Sequence, residues 1–327
     1  MHTLKDKTVL VTGGTGSFGQ SFVKKILEEG EVKSVIVFSR DELKQFEMQA
    51  SLENQKVRFV LGDVRDYKRL LEVSTEVDVI IHAAAMKQIT AAELNPIEAI
   101  KTNIIGAENI VRVAIENSVG SVVALSTDKA ANPVNLYGAT KLCSDKLILT
   151  GNNLSKKKTT IFSVVRYGNI LGSRGSVIPL FIEQAKTGTV TITHEKMTRF
   201  WLSLGDGVDF VLNSLRVMHG GEIFIPKIPS FKVIDAAKTV APEARIKTIG
   251  VRPGEKLHEV MITEDDSFYT REFESFYVVL TPRLYESEVY RDIGTSVNEN
   301  FRYSSDNNSL WHTQQSFREK LVEIGLV

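Results

Sequence analysis

The stretch Thr8–Gly19, TVLVTGGTGSFG, decides how the rest of the chain is read. A short β-branched run empties into a loop with glycines at 13, 16 and 19 and then into a helical pattern, the arrangement of a dinucleotide-phosphate cradle. Gly13 can take the tight turn, Gly16 lets the backbone approach a pyrophosphate, and Gly19 lets the next helix pack close to the sheet. Amide groups at that helix N-terminus then face the phosphates. Thr15, Ser17 and Phe18, between the glycines, are expected contacts of the same cofactor.

Outward from this loop, the first half of the chain alternates apolar runs with amphipathic segments: SVIVFS then ELKQFEMQASLE, VRFVLG then YKRLLEV, DVIIHAA then ENIVRVAIE, SVVALS then YGATKLCSDKLIL, and finally FSVVRYG. Runs that are apolar throughout and separated by helices are what parallel strands covered on both faces look like. Right-handed crossovers turn that series into an α/β, Rossmann-like doubly wound parallel sheet. The spacing predicts a dinucleotide-binding domain over residues 1–168, with returning elements near 200–235, and a smaller substrate-binding lobe with a polar tail over 169–327.

Composition narrows the partners. With 327 residues, 43% hydrophobic and a formal net charge of +0, the chain can bury a large core and exerts no global pull on nucleic acid or an anionic membrane. The single cysteine, Cys143, excludes an internal disulfide framework and falls in a pattern that predicts core packing. MHTLKDK at the N-terminus carries charges where a signal peptide needs an apolar stretch, and no window approaches a membrane span, so the chain reads as cytoplasmic. No His, Cys or carboxylate cluster has metal-ligand spacing, so no metal is expected.

The tip of the second strand predicts the dinucleotide. An NAD-binding fold usually carries an acidic residue there, whereas SVIVFSRDELK ends in Ser39 and Arg40, a hydroxyl and a guanidinium suited to a 2′-phosphate, with Lys44 as a helper. The expectation is therefore NADP, with Asp41 read as a helix N-cap. Asp63, with Val64 beside it, is placed to meet the adenine edge, and Ala83 follows the fourth strand where backbone must pass close to the cofactor.

Tyr137 and Lys141, in NLYGATK, are four apart and share a helical face. A lysine near a tyrosine lowers the phenol pKa, so Tyr137 can take a hydroxyl proton while hydride leaves the same carbon, with Lys141 also holding the nicotinamide ribose. At this point the chain resembles the extended short-chain dehydrogenase/reductase family over nearly its whole length. Directly after the fifth strand, LSTDKA puts Thr127, Asp128 and Lys129 at the carboxyl edge of the sheet, where ligands bind in such folds. Once C4 of a sugar is a ketone, the C5 hydrogen is acidic and the C6 hydroxyl can be expelled by one base and one acid. Lys129 is read as the base, its pKa lowered by Lys87, Lys141 and a cationic nicotinamide; Asp128 is read as the acid, and Thr127 as a hydrogen-bond partner of the C4 oxygen.

Further blocks narrow the resemblance: FSRDELKQFEM, GDVRD, IHAAAMK, NPVNLYGATKL, RYGN, GSRGSVIP, MTRFW, GGEIFIPKIPS, RPGEKLHE and YSSDNN. They are similar to the C5-inverting UDP-N-acetylglucosamine 4,6-dehydratases of pseudaminic acid biosynthesis, which implies a lyase making sugars for bacterial surface glycans or flagellin. Lys129 is the implied marker of inversion, since the retaining dehydratases that resemble this group carry glutamate there. The resemblance implies substrate contacts from Lys87, Asn169, Arg174, Val177, Arg199, Arg252 and Glu255, and a homo-oligomer, dimer or hexamer. Gln88, Ile89 and Thr90 stand where such enzymes usually read His-Val-Pro. That leaves open a truncated reaction ending in a 5,6-ene, a C4 epimerase, and a non-catalytic NADP sensor.

Overall fold

β1 (Thr8–Thr12) is buried along its whole length because parallel neighbours flank it: β2 (Ser34–Ser39) on one side and β4 (Val79–His82) on the other. The computed structural model describes residues 3–155, 159–173 and 175–327. With β3 (Val57–Leu61), β5 (Ser121–Thr127), β6 (Ile161–Tyr167) and β10 (Glu222–Pro226), the parallel run reads β3-β2-β1-β4-β5-β6-β10. Chain order reverses between β1 and β4, which opens a crevice at the carboxyl ends of the strands.

The crossovers are α1 (Ser17–Glu28), α2 (Glu42–Leu52), α3 (Tyr67–Val73), the short α4 (Ile89–Leu94) and α5 (Pro96–Ile100), α6 (Gly106–Glu116) and α7 (Leu136–Leu154). α5 runs into α6 through one π turn, Lys101–Ile105. α7 buries Gly138, Thr140, Lys141, Ser144, Asp145 and Ile148, a three- and four-residue repeat that turns position 143 outward. Cys143 is therefore exposed, not in the core as its apolar neighbours suggested.

Beyond residue 168 the chain builds a second core on β7 (Asn169–Ile170), α8 (Val177–Ala185), β8 (Thr189–Ile192) and β9 (Thr198–Leu202). α9 (Leu204–Val217) returns to pack on α1 and leads into β10. β11 (Ser230–Lys232) then pairs with β9, α10 (Val233–Val240) follows it, and β12 (Arg245–Thr248) pairs with β8. β9 is a shared wall: Phe200 and Leu202 face the main core while Trp201 faces the second, as strand alternation requires. The tail WHTQQSFREKLVEIGLV forms a helix, Gln314–Glu323. It seats Phe317 between Trp201 and Phe231, with ring centroids 5.6 and 4.6 Å apart.

The sheet is not purely parallel. After β13 (Val260–Ile262), the strands β14 (Thr270–Glu272), β15 (Phe276–Leu280) and β16 (Thr295–Ser296) extend the sheet antiparallel beyond β10. No helix long enough for a parallel crossover separates β14 from β15, so they pair as a hairpin. Residues 270–296 thus also return to the large sheet. β17 (Tyr303–Ser304) then pairs with β13. Among the described residues, no helix is long and apolar enough to cross a membrane.

Candidate active site

The glycine loop closes against the end of β4. Gly13 has φ +66°, and a Cβ there would lie 2.8 Å from Ala84 N, so the cradle admits only glycine and suits a dinucleotide phosphate. Ala83 N donates to Thr12 O (3.1 Å), which draws the two loops together. Thr15 is buried, and the Phe18 ring lies on Phe22 with centroids 5.7 Å apart. Ser17 opens α1. Val64 is buried and accepts from Asn109 Nδ2 through its carbonyl (2.9 Å).

At the tip of β2, the residues expected to hold a 2′-phosphate are already engaged. The Ser39 side chain is buried and its Oγ accepts from Gln45 Nε2 (3.0 Å). Arg40 Nη1 lies 3.7 Å from Asp63 Oδ2, and Lys44 Nζ lies 2.6 Å from Asp41 Oδ2. Asp41 caps α2 by accepting from Lys44 N (3.0 Å). Burial works against the Asp63 carboxylate, but Arg65 and Arg40 hold its pKa below the ordinary value. Two carboxylates thus stand at the tip beside the two cations.

The centre of the site is the end of β5. Thr127 Oγ1 donates to Asp128 Oδ1 (2.9 Å) and accepts from Lys129 N (3.3 Å), which starts a single 3₁₀ turn. Lys129 Nζ lies 2.9 Å from Asp128 Oδ1 and 3.5 Å from Asn169 Oδ1 on β7. It also lies 3.5 Å from Glu259 Oε1, a residue the sequence reading passed over. Burial disfavours the ammonium, yet the carboxylates of Asp128 and Glu259 outweigh it and raise the Lys129 pKa above its ordinary value. This overturns the expectation of a lysine made neutral by neighbouring cations: the charges that act on it most are anions.

Tyr137 sits on the first turn of α7, whose N-cap Asn135 accepts from Gly138 N (2.8 Å) and donates to Gly254 O (2.8 Å). Burial pushes the Tyr137 phenol up to about 12, opposed first by the Lys129 charge and then by the Thr127 hydroxyl. The lysine that favours its phenolate most is Lys129, not Lys141 as the four-residue spacing suggested. Lys141 is buried, with its pKa lowered by burial against the opposing charge of Asp145, and donates to Ser144 Oγ (3.5 Å). Asp145 accepts from Ser126 Oγ (2.7 Å). Asn103, in the π turn, exchanges bonds with the Met86 backbone and donates to Thr140 Oγ1 (2.9 Å), fastening the loop after β4 to α7.

A cavity of about 240 Å³ opens over Lys129. Its walls include Asn169, Val177, Arg199, Arg252 and Glu255 among the expected substrate residues, and also Ile89 and Glu259. Arg252 N donates to Glu255 Oε2 (3.2 Å). Arg199, expected to meet a diphosphate, spends its Nη atoms on the carbonyl oxygens of Thr198 (2.7 Å), Leu257 (3.2 Å) and Lys256 (3.0 Å), so it holds the RPGEK loop in place. Lys256 Nζ donates to Ala131 O (2.7 Å) and pins that loop onto the catalytic strand end. Lys87 and Gln88 are exposed on the loop before α4. Arg174 lies outside the described residues.

Known proteins align with this arrangement. The family described as polysaccharide biosynthesis protein matches residues 9–281. A UDP-N-acetylglucosamine 4,6-dehydratase (inverting) of Campylobacter jejuni is 51% identical over 323 residues, 96% of this chain and 96% of that protein. A UDP-glucose 4-epimerase of Rickettsia bellii is 42% identical over 83% of this chain and 82% of that protein. Among solved structures, Pen from Bacillus thuringiensis has a TM-score of 0.89 at 34% identity, covering 98% of this chain and 100% of that one.

The expectation of NADP is corrected here. The dTDP-glucose 4,6-dehydratase of Streptomyces venezuelae (22% identity, TM-score 0.70, covering 76% of this chain and 86% of that one) is described with NAD bound. So is the UDP-glucose 4-epimerase of Thermus thermophilus (21%, 0.65, covering 76% and 88%). The ion pairs of Arg40 with Asp63 and of Lys44 with Asp41 supply the physical reason, since a 2′-phosphate would have to displace or face both carboxylates. Fold, aligned length and identity agree: the chain belongs to the polysaccharide biosynthesis protein family, on the extended short-chain dehydrogenase/reductase fold, in the group of inverting UDP-N-acetylglucosamine 4,6-dehydratases.

Proposed function

We propose that this protein is a UDP-N-acetylglucosamine 4,6-dehydratase that inverts C5, a lyase that uses NAD without net consumption. The observation that carries this reading is the Asp128–Lys129 ion pair at 2.9 Å, set at the mouth of a cavity and acting electrostatically on Tyr137. Sugar oxidation alone needs Tyr137 and Lys141; loss of water across C5 and C6 needs a second pair of proton-handling groups.

NAD, when bound, accepts hydride from C4 and returns it at C6. Gly13, Thr15, Gly16, Ser17, Phe18 and Gly19 would hold its pyrophosphate, Asp63, Val64 and Ala83 its adenosine side, and Lys141 its nicotinamide ribose. Tyr137 takes the C4 hydroxyl proton, helped by the Lys129 charge that stabilises the phenolate. Thr127 hydrogen-bonds the C4 oxygen, and Asp128 with Lys129 exchanges protons with C5 and the departing C6 oxygen. Asn169, Val177, Arg252 and Glu255 line the place for the UDP-sugar, with Lys87 at its margin.

Proton NMR of the product formed from UDP-N-acetylglucosamine in heavy water tests this. The expected product is a 4-keto-6-deoxy sugar with inverted C5 carrying deuterium. A product that keeps its C6 oxygen and differs only at C4 would instead establish the epimerase reading suggested by the 42% identical relative.

A further inference from the structure

Resting on the dehydratase reading above, we infer that Glu259 is a positioning residue for Lys129: it holds the lysine Nζ over the cavity and keeps its proton in place, so that Lys129 enters the elimination as an ammonium.

The carboxylate cannot swing away with its loop, because Ser305 grips the backbone on both sides. Glu259 N donates to Ser305 Oγ (2.9 Å), and Ser305 N donates to Glu259 O (2.8 Å). The side chain is 3% exposed. Oε1 lies 3.5 Å from Lys129 Nζ and 3.6 Å from Arg199 Nε, while Oε2 lies 3.9 Å from Lys256 Nζ. Three cations around one buried carboxylate keep it ionised, since neutralising it would leave buried charges unpaired.

From the side of the lysine the match is to three N–H donors. Asp128 Oδ1 at 2.9 Å, Asn169 Oδ1 at 3.5 Å and Glu259 Oε1 at 3.5 Å are three acceptors around one nitrogen. A neutral amine has two donors and would turn its lone pair toward one of those oxygens. The other charged and titratable groups facing this centre are Arg199, whose Nη donors are spent on carbonyls, Lys256, whose Nζ donates to Ala131 O, and the Tyr137 phenol. None of them offers the lysine an acceptor in place of Glu259.

The test is competitive acetylation of the folded enzyme with acetic anhydride across an alkaline pH series, with the Lys129 peptide quantified by mass spectrometry. The parent, Glu259→Gln and Glu259→Asp are compared. Only the free amine reacts, and Lys129 lines the cavity, so a small reagent reaches it. Lys129 should label more than about tenfold faster in Glu259→Gln than in the parent at the same pH, equivalent to a fall of about one unit or more in its pKa. Glu259→Asp, which keeps the charge but retracts it, should fall between the two; it also serves if the glutamine variant does not fold. In turnover, the limb of the C5 deuterium-exchange profile that belongs to Lys129 should move to lower pH in Glu259→Gln. Equal labelling of Lys129 in all three proteins would overturn the inference. Because labelling needs no substrate, a parent that failed to dehydrate UDP-N-acetylglucosamine would refute the proposed function and leave this result standing.

Discussion

Asn103 Nδ2 donates to Thr140 Oγ1 across 2.9 Å, and through that bond the π turn Lys101–Ile105 is fastened to the helix that carries Tyr137 and Lys141. The same amide accepts from Met86 N (2.8 Å) and donates to Met86 O (3.0 Å), so one side chain ties three segments together. An extra residue in a helix turn costs regular hydrogen bonding and persists where it aims a side chain inward. Asn103→Ala should therefore slow C4 oxidation and destabilise the protein by about 1–3 kcal/mol, the cost of leaving buried partners unpaired. Urea unfolding together with single-turnover reduction of the nicotinamide checks both, and unchanged values would show that the clamp is dispensable.

Tyr137→Phe should abolish C4 oxidation while leaving UDP-sugar binding nearly intact. The phenol is asked for proton transfer, worth about 10²–10⁴ in rate, and its ring stays in place without the hydroxyl. Absorbance of the reduced nicotinamide in a single turnover is the measurement. Formation of reduced cofactor at the parent rate would remove Tyr137 from the role.

Lys129→Met should separate the two halves of the cycle. Oxidation belongs to Tyr137 and persists, though more slowly, because the cation that most favours the phenolate is gone. Elimination belongs to the Asp128 and Lys129 pair and should stop. The variant should accumulate reduced cofactor and 4-ketone with little deuterium at C5; dehydration at the parent rate would show that the loop has been misassigned.

His82 links stability to pH. It is buried at the end of β4, with Nδ1 2.8 Å from Thr12 Oγ1, and burial followed by the Lys141 charge lowers its pKa from 6.5 to about 3. Between those values the unfolded chain binds a proton that the folded chain does not, so stability is lost as pH falls below 6.5. The slope is at most about 1.4 kcal/mol per pH unit from this group. His82→Asn should flatten the decline by about that amount in urea titrations compared between neutral and mildly acidic pH. Parallel curves for the two proteins would mean that His82 does not control the acid limb.

The order of apolar runs and helical segments by itself determined the parallel sheet, and the glycine spacing in TVLVTGGTGSFG marked its dinucleotide cradle, because strand and helix periodicity and backbone permissiveness are local properties. The short spacing of Thr127, Asp128, Lys129, Tyr137 and Lys141 likewise made the reaction centre readable, since one strand end and one helix face suffice to gather them. What acts between distant segments was decided only by tertiary structure. Glu259 stands 130 positions from Lys129 in sequence and meets it at 3.5 Å, because β17 and Ser305 bring the end of the RPGEKLHE block under β5. That contact reversed the expected charge state of Lys129, as the pKa of a buried group follows the charges around it and not those beside it in the chain. At the β2 tip, Arg40 and Lys44 read as a phosphate site in one dimension, and in three they face Asp63 and Asp41. Cys143 belongs to the same class: its neighbours in sequence are apolar, but the helix angle between residues places it on the opposite side from the face that α7 buries.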